Sequence, residues 1–371
     1  MTKKQELKNR NIKSLYVHIP YCEHICFYCD FAKTIKPKSK ENVIEYLNNL
    51  ENELISYENR LDNLETIYIG GGTPSCLDEE ETILLLKSLS KYVKNNKDFE
   101  FSIELNPESV SETKLKIYKE YKINRISMGI QTFNNDLLKK IGRIHDKDLA
   151  VEKFNLIRTI GFDNISIDLM YNLFNQTKEN IIEDLEYIKQ LKPDHISWYS
   201  LIMKDNSIWG KKNLKKPEND EFFDVIVNEG LKKLGYKRYE ISNYCLNNKI
   251  SKHNLSYWDN SLFAGVGFGA SGFELINKKY YLTINEGTIL NYQKKFEELS
   301  IEDYYFQIIM MGLRLVDGIN ISLEKNKDAY LFYKEKIEIN IKKGFLLLEN
   351  NYLKCNDKGF DILNDILVDI L

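Results

Sequence analysis

Short apolar runs recur through the first two-thirds of the chain, and between them apolar residues return every third or fourth place. The runs are Ser14–Ile19, Thr66–Ile69, Phe99–Leu105, Arg125–Ile130, Asn164–Met170 and His195–Ile202. They are short and rich in Ile, Val, Tyr or Phe, so they read as strands. Val43, Leu47, Leu50 and Leu54 recur at spacings of four, three and four and share one helical face. Ile181, Leu185 and Ile188 repeat that pattern, and Ile83, Leu86 and Leu89 recur every third residue. Strand–helix alternation implies parallel strands joined by helical crossovers. Six such units predict an α/β fold, either an open (β/α)6 partial barrel or a doubly wound sheet. Both put chemistry at the carboxyl ends of the strands.

After about Lys211 the pattern changes. Lys211–Lys216 reads as a basic, solvated loop, and a helix is predicted from Glu218 to Leu234. β-like segments and a Gly-rich turn follow. From Ile301 a new unit begins, with helical patterns over Tyr304–Leu315 and Ile337–Lys343. Phe345–Leu348 and Tyr352–Cys355 flank Glu349-Asn350-Asn351 as a hairpin. Helices followed by a hairpin predict a small winged-helix-like α+β domain. The expected division is a core over 1–235, an extension of it over 236–300 and a carboxy-terminal domain over 301–371. There is no internal repeat and no long linker.

The chain has 371 residues, 43% of them hydrophobic and 12% aromatic, which suffices for one large core and a small one. A net charge of −3 gives no general electrostatic reason to expect nucleic acid. Met1–Lys13 is polar and lacks the apolar run of a leader, and no stretch approaches the roughly 20 apolar residues of a membrane span. The expectation is a cytoplasmic protein. Three of the six cysteines are bunched at 22–29, while Cys76, Cys245 and Cys355 are scattered. In a reducing compartment such a bunch reads as metal binding or catalysis rather than as a disulfide framework.

The bunch reads Tyr21-Cys22-Glu-His-Ile-Cys26-Phe-Tyr28-Cys29-Asp-Phe31 and follows the first predicted strand. Thiolates are soft, anionic ligands that suit iron–sulfur clusters and zinc. Structural zinc wants four protein ligands, and a fourth thiolate is missing here. A 4Fe-4S cubane held by three thiolates leaves one iron open to the amino and carboxylate groups of an amino-acid ligand. The alternatives are a zinc site completed by His18 or His24, and three unrelated buried thiols. Gly70-Gly71-Gly72-Thr73-Pro74 also follows a strand. It lacks the Lys-Ser/Thr of a phosphate loop, and its glycines allow close backbone approach to a ligand or a plain tight turn. Gly267-Phe-Gly269-Ala-Ser-Gly272 fits a dinucleotide fingerprint but leads into a β-like run, so it reads as a structural turn.

Taken together these blocks resemble radical S-adenosylmethionine (SAM) proteins. More narrowly they resemble the oxygen-independent coproporphyrinogen III oxidase-like family and its heme-chaperone branch, the HemW proteins. The likeness covers almost the whole chain. It runs through Tyr16-Val-His-Ile-Pro20, the three cysteines, Gly70–Pro74, Glu104-Leu-Asn-Pro107, Ser127–Phe133, Gly142-Arg-Ile-His145, Asp168–Tyr171, Pro193–Ser197, Tyr239–Tyr244 and His253-Asn-Leu-Ser-Tyr257-Trp258. The resemblance implies a 4Fe-4S cluster on Cys22, Cys26 and Cys29. It implies SAM held by Tyr16, Tyr28, Gly72, Thr73, Pro74, Glu104, Gln131, Arg143 and Asp168. Within that set Glu104 suits an ammonium and Arg143 a carboxylate, while Gln131 and Asp168 suit ribose or adenine. Tyr16 and Tyr28 flank the cluster, with ordinary core packing as the other reading.

Two functions fit the family. One is oxidative decarboxylation of coproporphyrinogen III through SAM cleavage. The other is heme carriage to an acceptor protein, with the same cofactors and an electron donor only if SAM is cleaved. Three features favour the carrier. Position 31 is Phe where the oxidases place a further cysteine, only fifteen residues precede Tyr16, and His253–Trp258 matches the H-N-x-x-Y-W motif of the chaperones. Histidine is a natural axial ligand for heme iron, which makes His253 the candidate. The chain departs from its relatives at Asn172–Gln176, where they tend to read Gly-Leu-Pro-Gly-Gln. It also departs at Lys204-Asp205, where they have Glu-Pro, and at Phe268 and Ser271, where they have Pro and His.

Overall fold

The computed structural model describes residues 12–371; the polar stretch before Ile12 lies outside the described residues. Six strands, β1 (Ser14–Ile19), β2 (Thr66–Gly71), β3 (Glu100–Leu105), β4 (Arg125–Gln131), β5 (Ile165–Tyr171) and β6 (His195–Ser200), are all parallel and lie side by side in chain order. That order decides between the two predicted architectures. A doubly wound sheet reverses its order at a switch point. With right-handed crossovers and no reversal, every helix packs on one face and the sheet curls into a partial barrel.

The connecting helices α1 (Lys40–Ser56), α2 (Glu79–Ser90), α3 (Glu112–Glu120), α4 (Lys147–Thr159) and α5 (Lys178–Leu191) bury the stripes that periodicity predicted. Val43, Leu47, Leu50 and Leu54 of α1 are all buried. In α2 the buried face is Leu85, Leu86 and Leu89, with Ile83 only half-buried. A capping box between Asp78 and Glu81 starts that helix and fixes its phase.

Six further strands extend the same sheet to twelve. On one side Asn243–Cys245 pairs antiparallel with β6. On the other, Phe263–Val266 joins β1 in parallel and leads into an antiparallel meander that ends in Lys279–Thr288 and Asn291–Glu298. The Gly267–Gly272 segment is the predicted turn. Gly267 has φ +91°, and a Cβ there would lie 2.5 Å from the Tyr46 hydroxyl.

The meander is fastened to the end of α1 and the turn after it by a buried ion network. Glu274, with no solvent exposure, accepts from Arg60 at 2.6 Å and Tyr57 at 2.8 Å, and Lys294 bridges to Glu53 at 3.1 Å. Removing one partner of a buried pair leaves an uncompensated charge. Glu274→Ala is therefore expected to cost about 3 kcal/mol, read from denaturant unfolding, whereas an exposed pair such as Lys116–Glu112 should cost under ~0.5 kcal/mol.

The carboxy-terminal segment has its own core. Ile308, Ile309, Leu313, Ile337, Leu346, Leu353 and Leu367 pack together, with Phe273 of the meander reaching in. Helices Ile301–Gly312 and Lys334–Lys342 and the hairpin Leu346–Glu349/Tyr352–Cys355 match the sequence reading, with Ile319–Asn320 as a third strand. The hairpin loop is two residues, not three. Asn350 and Asn351 both take φ > 0 (51° and 65°), as a type I′ turn requires.

Candidate functional site

Strand alternation builds the site. Alternate residues of the six barrel strands face inward and the others face the helices, because the side-chain period of a strand is two. The inward positions are even-numbered in β1, β2, β3 and β5 and odd-numbered in β4 and β6. The helix-facing positions are apolar, such as Val17, Ile67, Ile103, Met128 and Ile167. The inward ones are largely polar: Tyr16, Tyr68, Ser102, Glu104, Arg125, Ser127, Ser166, Asp168, His195, Ser197 and Tyr199. Register sets them in layers, with Glu104 beside Ser127 and Asp168 beside Ser197. A polar barrel interior needs partners, since isolated buried polar groups are costly. His195 accordingly meets Ser166 at 2.8 Å and the Tyr239 hydroxyl at 2.8 Å, and Ser127 donates to Asp168 at 3.2 Å.

This interior opens into a cavity of about 380 Å³ at the carboxyl ends of the strands. Of the thirteen residues predicted for the site, twelve line it: Tyr16, Cys22, Cys26, Tyr28, Cys29, Gly72, Thr73, Glu104, Gln131, Arg143, Asp168 and His253. Pro74 does not. It is buried one residue behind, at the start of a short 3-10 turn.

The cysteine loop is closed at its base by Tyr21–Cys22 pairing with Thr34–Ile35. It is tied to the end of β2 by the Gly72 and Thr73 amides, which donate to Ile19 O at 2.8 Å and Tyr21 O at 2.8 Å. Gly72 has no room for a side chain, as a Cβ would sit 2.9 Å from Cys22 Sγ. Hydrogen-bond donors already point at the sulfurs: Thr73 at Cys22 (3.5 Å) and Arg143 at Cys26 (3.4 Å). Such donors suit thiolates bound to a cluster. A mononuclear site fits less well. Among the described residues no three His, Cys, Asp or Glu side chains are gathered as one metal ion requires. Of the two candidate fourth zinc ligands, His18 has its ring nitrogens on the Tyr16 hydroxyl (3.1 Å) and Ala32 O (2.7 Å), while His24 lines the cavity.

Opposite the thiols lie groups suited to a zwitterionic ligand. Burial, and then the nearby Asp168, push the Glu104 carboxyl up to about 7. Burial raises Asp168 as well, opposed by hydrogen bonds from Ser197 and Ser127 and by the charge of Arg125. Arg143 donates to Asn106 at 2.9 Å and to Gly129 O. Its Nε, and Gln131 Oε1, are buried with no hydrogen-bond partner among the described residues. Gln131 stands at a β-bulge with φ +74°, a left-handed backbone that turns its side chain into the cavity. Three thiols on one wall, with carboxylates, a guanidinium and unpartnered polar atoms on the other, fit a cluster with an amino-acid-like ligand on it.

His253 sits on the helix Lys252–Trp258, stacked on Tyr68 with ring centroids 5.0 Å apart. Its Nδ1 meets Thr66 Oγ1 at 2.7 Å and its Nε2 meets the Tyr257 hydroxyl at 2.7 Å. Burial, and then Arg125, lower its pKa to about 3, so the ring is neutral. Both ring nitrogens are therefore engaged, and the Tyr257 hydroxyl stands where a metal would bind Nε2. Trp258, the last residue of the same motif, does not line the cavity.

Two departures from the relatives' pattern are conformationally silent. Asn172 and Asn175, which replace glycines, both take φ +61°, a region that asparagine tolerates best after glycine. Sequence reading missed Tyr68 and Tyr199, which also line the cavity.

Comparison with known proteins agrees with this geometry. The family pattern described as Radical SAM superfamily matches residues 16–188. The heme chaperone HemW of Lactococcus lactis is 36% identical over 370 residues, covering 95% of this chain and 96% of that protein. HemW of Bacillus subtilis is 37% identical over 329 residues, covering 83% and 85%. HemW of Escherichia coli is 34% identical over 381 residues, covering 95% and 97%. Among solved structures, the radical SAM enzyme coproporphyrinogen III oxidase (HemN) from Escherichia coli matches with a TM-score of 0.79. The match is at 20% identity over 100% of this chain and 93% of that one, which is a likeness of fold.

Proposed function

This chain belongs to the radical SAM superfamily and, within it, to the HemW family, and on that premise we propose that it is a heme chaperone that binds heme and passes it to an acceptor protein. Membership implies a 4Fe-4S cluster and SAM as its cofactors. Cys22, Cys26 and Cys29 hold the cluster, which when bound supplies an open iron to the amino and carboxylate groups of SAM. Glu104 would accept a hydrogen bond from that amino group and Arg143 would pair with the carboxylate, with Gln131 and Asp168 on the nucleoside. The observation that carries the reading is convergence. The thiols, the polar barrel interior and the His253 helix all face one cavity. Separate hydrophobic cores support a division near residue 300, with 1–235 and 236–300 as core and extension. Six free cysteines support a reducing cytoplasm.

His253 is the proposed heme ligand through Nε2, with Thr66 fixing the ring from Nδ1 as outer partners of metal-bound histidines do. Coordination then requires the Tyr257 hydroxyl to leave. Hemin titration followed at the Soret band should reach about one heme per chain. His253→Ala should weaken binding about tenfold, and Tyr257→Phe should strengthen it about fivefold by freeing Nε2 of a hydrogen bond worth ~1 kcal/mol. Equal affinity in all three proteins would remove His253 from the heme site. Coproporphyrinogen III should not be decarboxylated by the reduced, SAM-loaded protein, and robust turnover would restore the oxidase reading.

A further inference from the structure

We propose that the carboxy-terminal domain is a clamp that sets the position of the helix Lys252–Trp258, with Gln307, Arg314 and Lys325 as its positioning residues. The effect on ligand binding rests on the heme reading above.

A seven-residue helix is too short to hold itself. Its first turn is fixed by the barrel, where the amides of Lys252 and His253 donate to the Glu100 carboxylate at 2.9 and 3.1 Å. Its last turn is fixed by the carboxy-terminal domain. Lys325 Nζ donates to Asp259 O at 2.8 Å and to Asn260 O at 3.2 Å. Carbonyls at that end of a helix favour a cation. Gln307 donates to Asn260 Oδ1 at 3.0 Å, and Asn260 ends the helix with φ +54°. The Arg314 guanidinium lies 5.9 Å from the centre of the Trp258 ring, a cation–π contact. The tryptophan of the motif is thus turned towards the domain.

The same domain also reaches the helix start. Leu315 bridges to Glu240, and the Val316 amide donates to Tyr239 O at 3.1 Å. The Tyr239 hydroxyl accepts from the amide of Ser251, the N-cap residue, at 3.3 Å. Both helix ends are therefore referred to the domain, and His253 and Tyr257 ride on the helix between them. Movement of the domain changes the spacing of this pair from Thr66 and Tyr68 on β2, and with it the Thr66 hydrogen bond and the Tyr68 stacking that fix the His253 ring.

The test is a Gln307→Ala/Lys325→Ala double variant of the full-length, reconstituted protein, neither residue being in the cavity. Amide exchange over 253–260 should rise about tenfold, as for a segment that opens locally. Exchange in the barrel strands and the iron and sulfide content should not change. Hemin affinity should fall about fivefold, the lower end of usual coupling between sites. Gln307→Ala/Lys325→Arg, which keeps a cation on the carbonyls, should recover most of both effects. Unchanged exchange over 253–260 in the double variant overturns the clamp. Raised exchange with unchanged hemin affinity overturns its role in ligand binding. Wild-type protein that takes up no hemin overturns the heme reading alone, and the clamp then stands or falls on exchange.

Discussion

Serine at position 26 will leave a folded protein without a cluster. Wild-type protein reconstituted anaerobically should carry about four irons and four sulfides per chain, whereas Cys26→Ser should fall to near zero and lose SAM retention with it. The argument is one of ligand count. Three thiolates are the minimum for a cubane with an open iron, and a neutral hydroxyl is a poor, hard replacement for a soft anion. Cys26 is only half-buried, so the substitution removes little packing and the melting temperature should move by a few degrees at most. Cys355→Ser serves as the control. Its thiol is buried in the carboxy-terminal core, so it should lose some stability and no iron. Stoichiometric zinc in the wild type, or full iron in Cys26→Ser, would sink the cluster assignment.

Much of this site was legible before any coordinates. The three cysteines of the C-x-x-x-C-x-x-C spacing, Gly71–Thr73 of the glycine turn and the polar residues Glu104, Gln131, Arg143 and Asp168 all converge on one cavity, with Glu104 and Asp168 inside their strands rather than past the ends. What was missed has a physical reason. Tyr68 and Tyr199 belong to no loop motif; they are mid-strand residues in runs that read as buried β. The signal was the alternation itself. In Ile67-Tyr68-Ile69-Gly70 and Ile126-Ser127-Met128-Gly129 every second residue is polar or glycine. A parallel strand buried on both faces reads as a continuous apolar run, so polar alternation in one marks a barrel interior that holds something polar. The helix Glu324–Phe332 was missed for the opposite reason. It buries Asn326, Ala329 and Tyr330, and that face has no apolar period, so tertiary packing rather than pattern makes it helical. His253 shows where residue identity stops. The motif named a metal-binding residue type, but only coordinates show that both ring nitrogens are engaged and that the neighbouring tyrosine holds the coordinating position.

SAM affinity in the wild type will rise about tenfold between pH 6 and pH 8, and Glu104→Gln will flatten that rise. Burial and the proximity of Asp168 hold the Glu104 carboxyl at about 7, against hydrogen bonds from the Tyr68 hydroxyl at 2.8 Å and the Gly71 amide. Below pH 7 the ligand-free carboxyl carries a proton that must be lost before it can accept from the SAM amino group as a carboxylate, so affinity falls as pH falls. Above it the carboxylate is already charged, and affinity levels off. Glutamine keeps the side-chain volume and an acceptor for Tyr68 but has no charge to titrate. Any titration of the SAM amino group is common to both proteins and cancels in the comparison. The same shift carries a stability signature. A carboxyl whose folded pKa lies above its unfolded value of about 4.3 binds more protons when folded, so the fold loses stability as pH rises from about 4.3 to 7. Ligand-free Glu104→Gln should therefore be more stable than wild type at pH 8, by ~2 kcal/mol, and equal to it near pH 4. A variant with higher stability at pH 8 and weaker, pH-independent SAM binding is the pattern of a binding residue kept at a cost to the fold. A variant that keeps the wild-type pH profile takes Glu104 out of the SAM site.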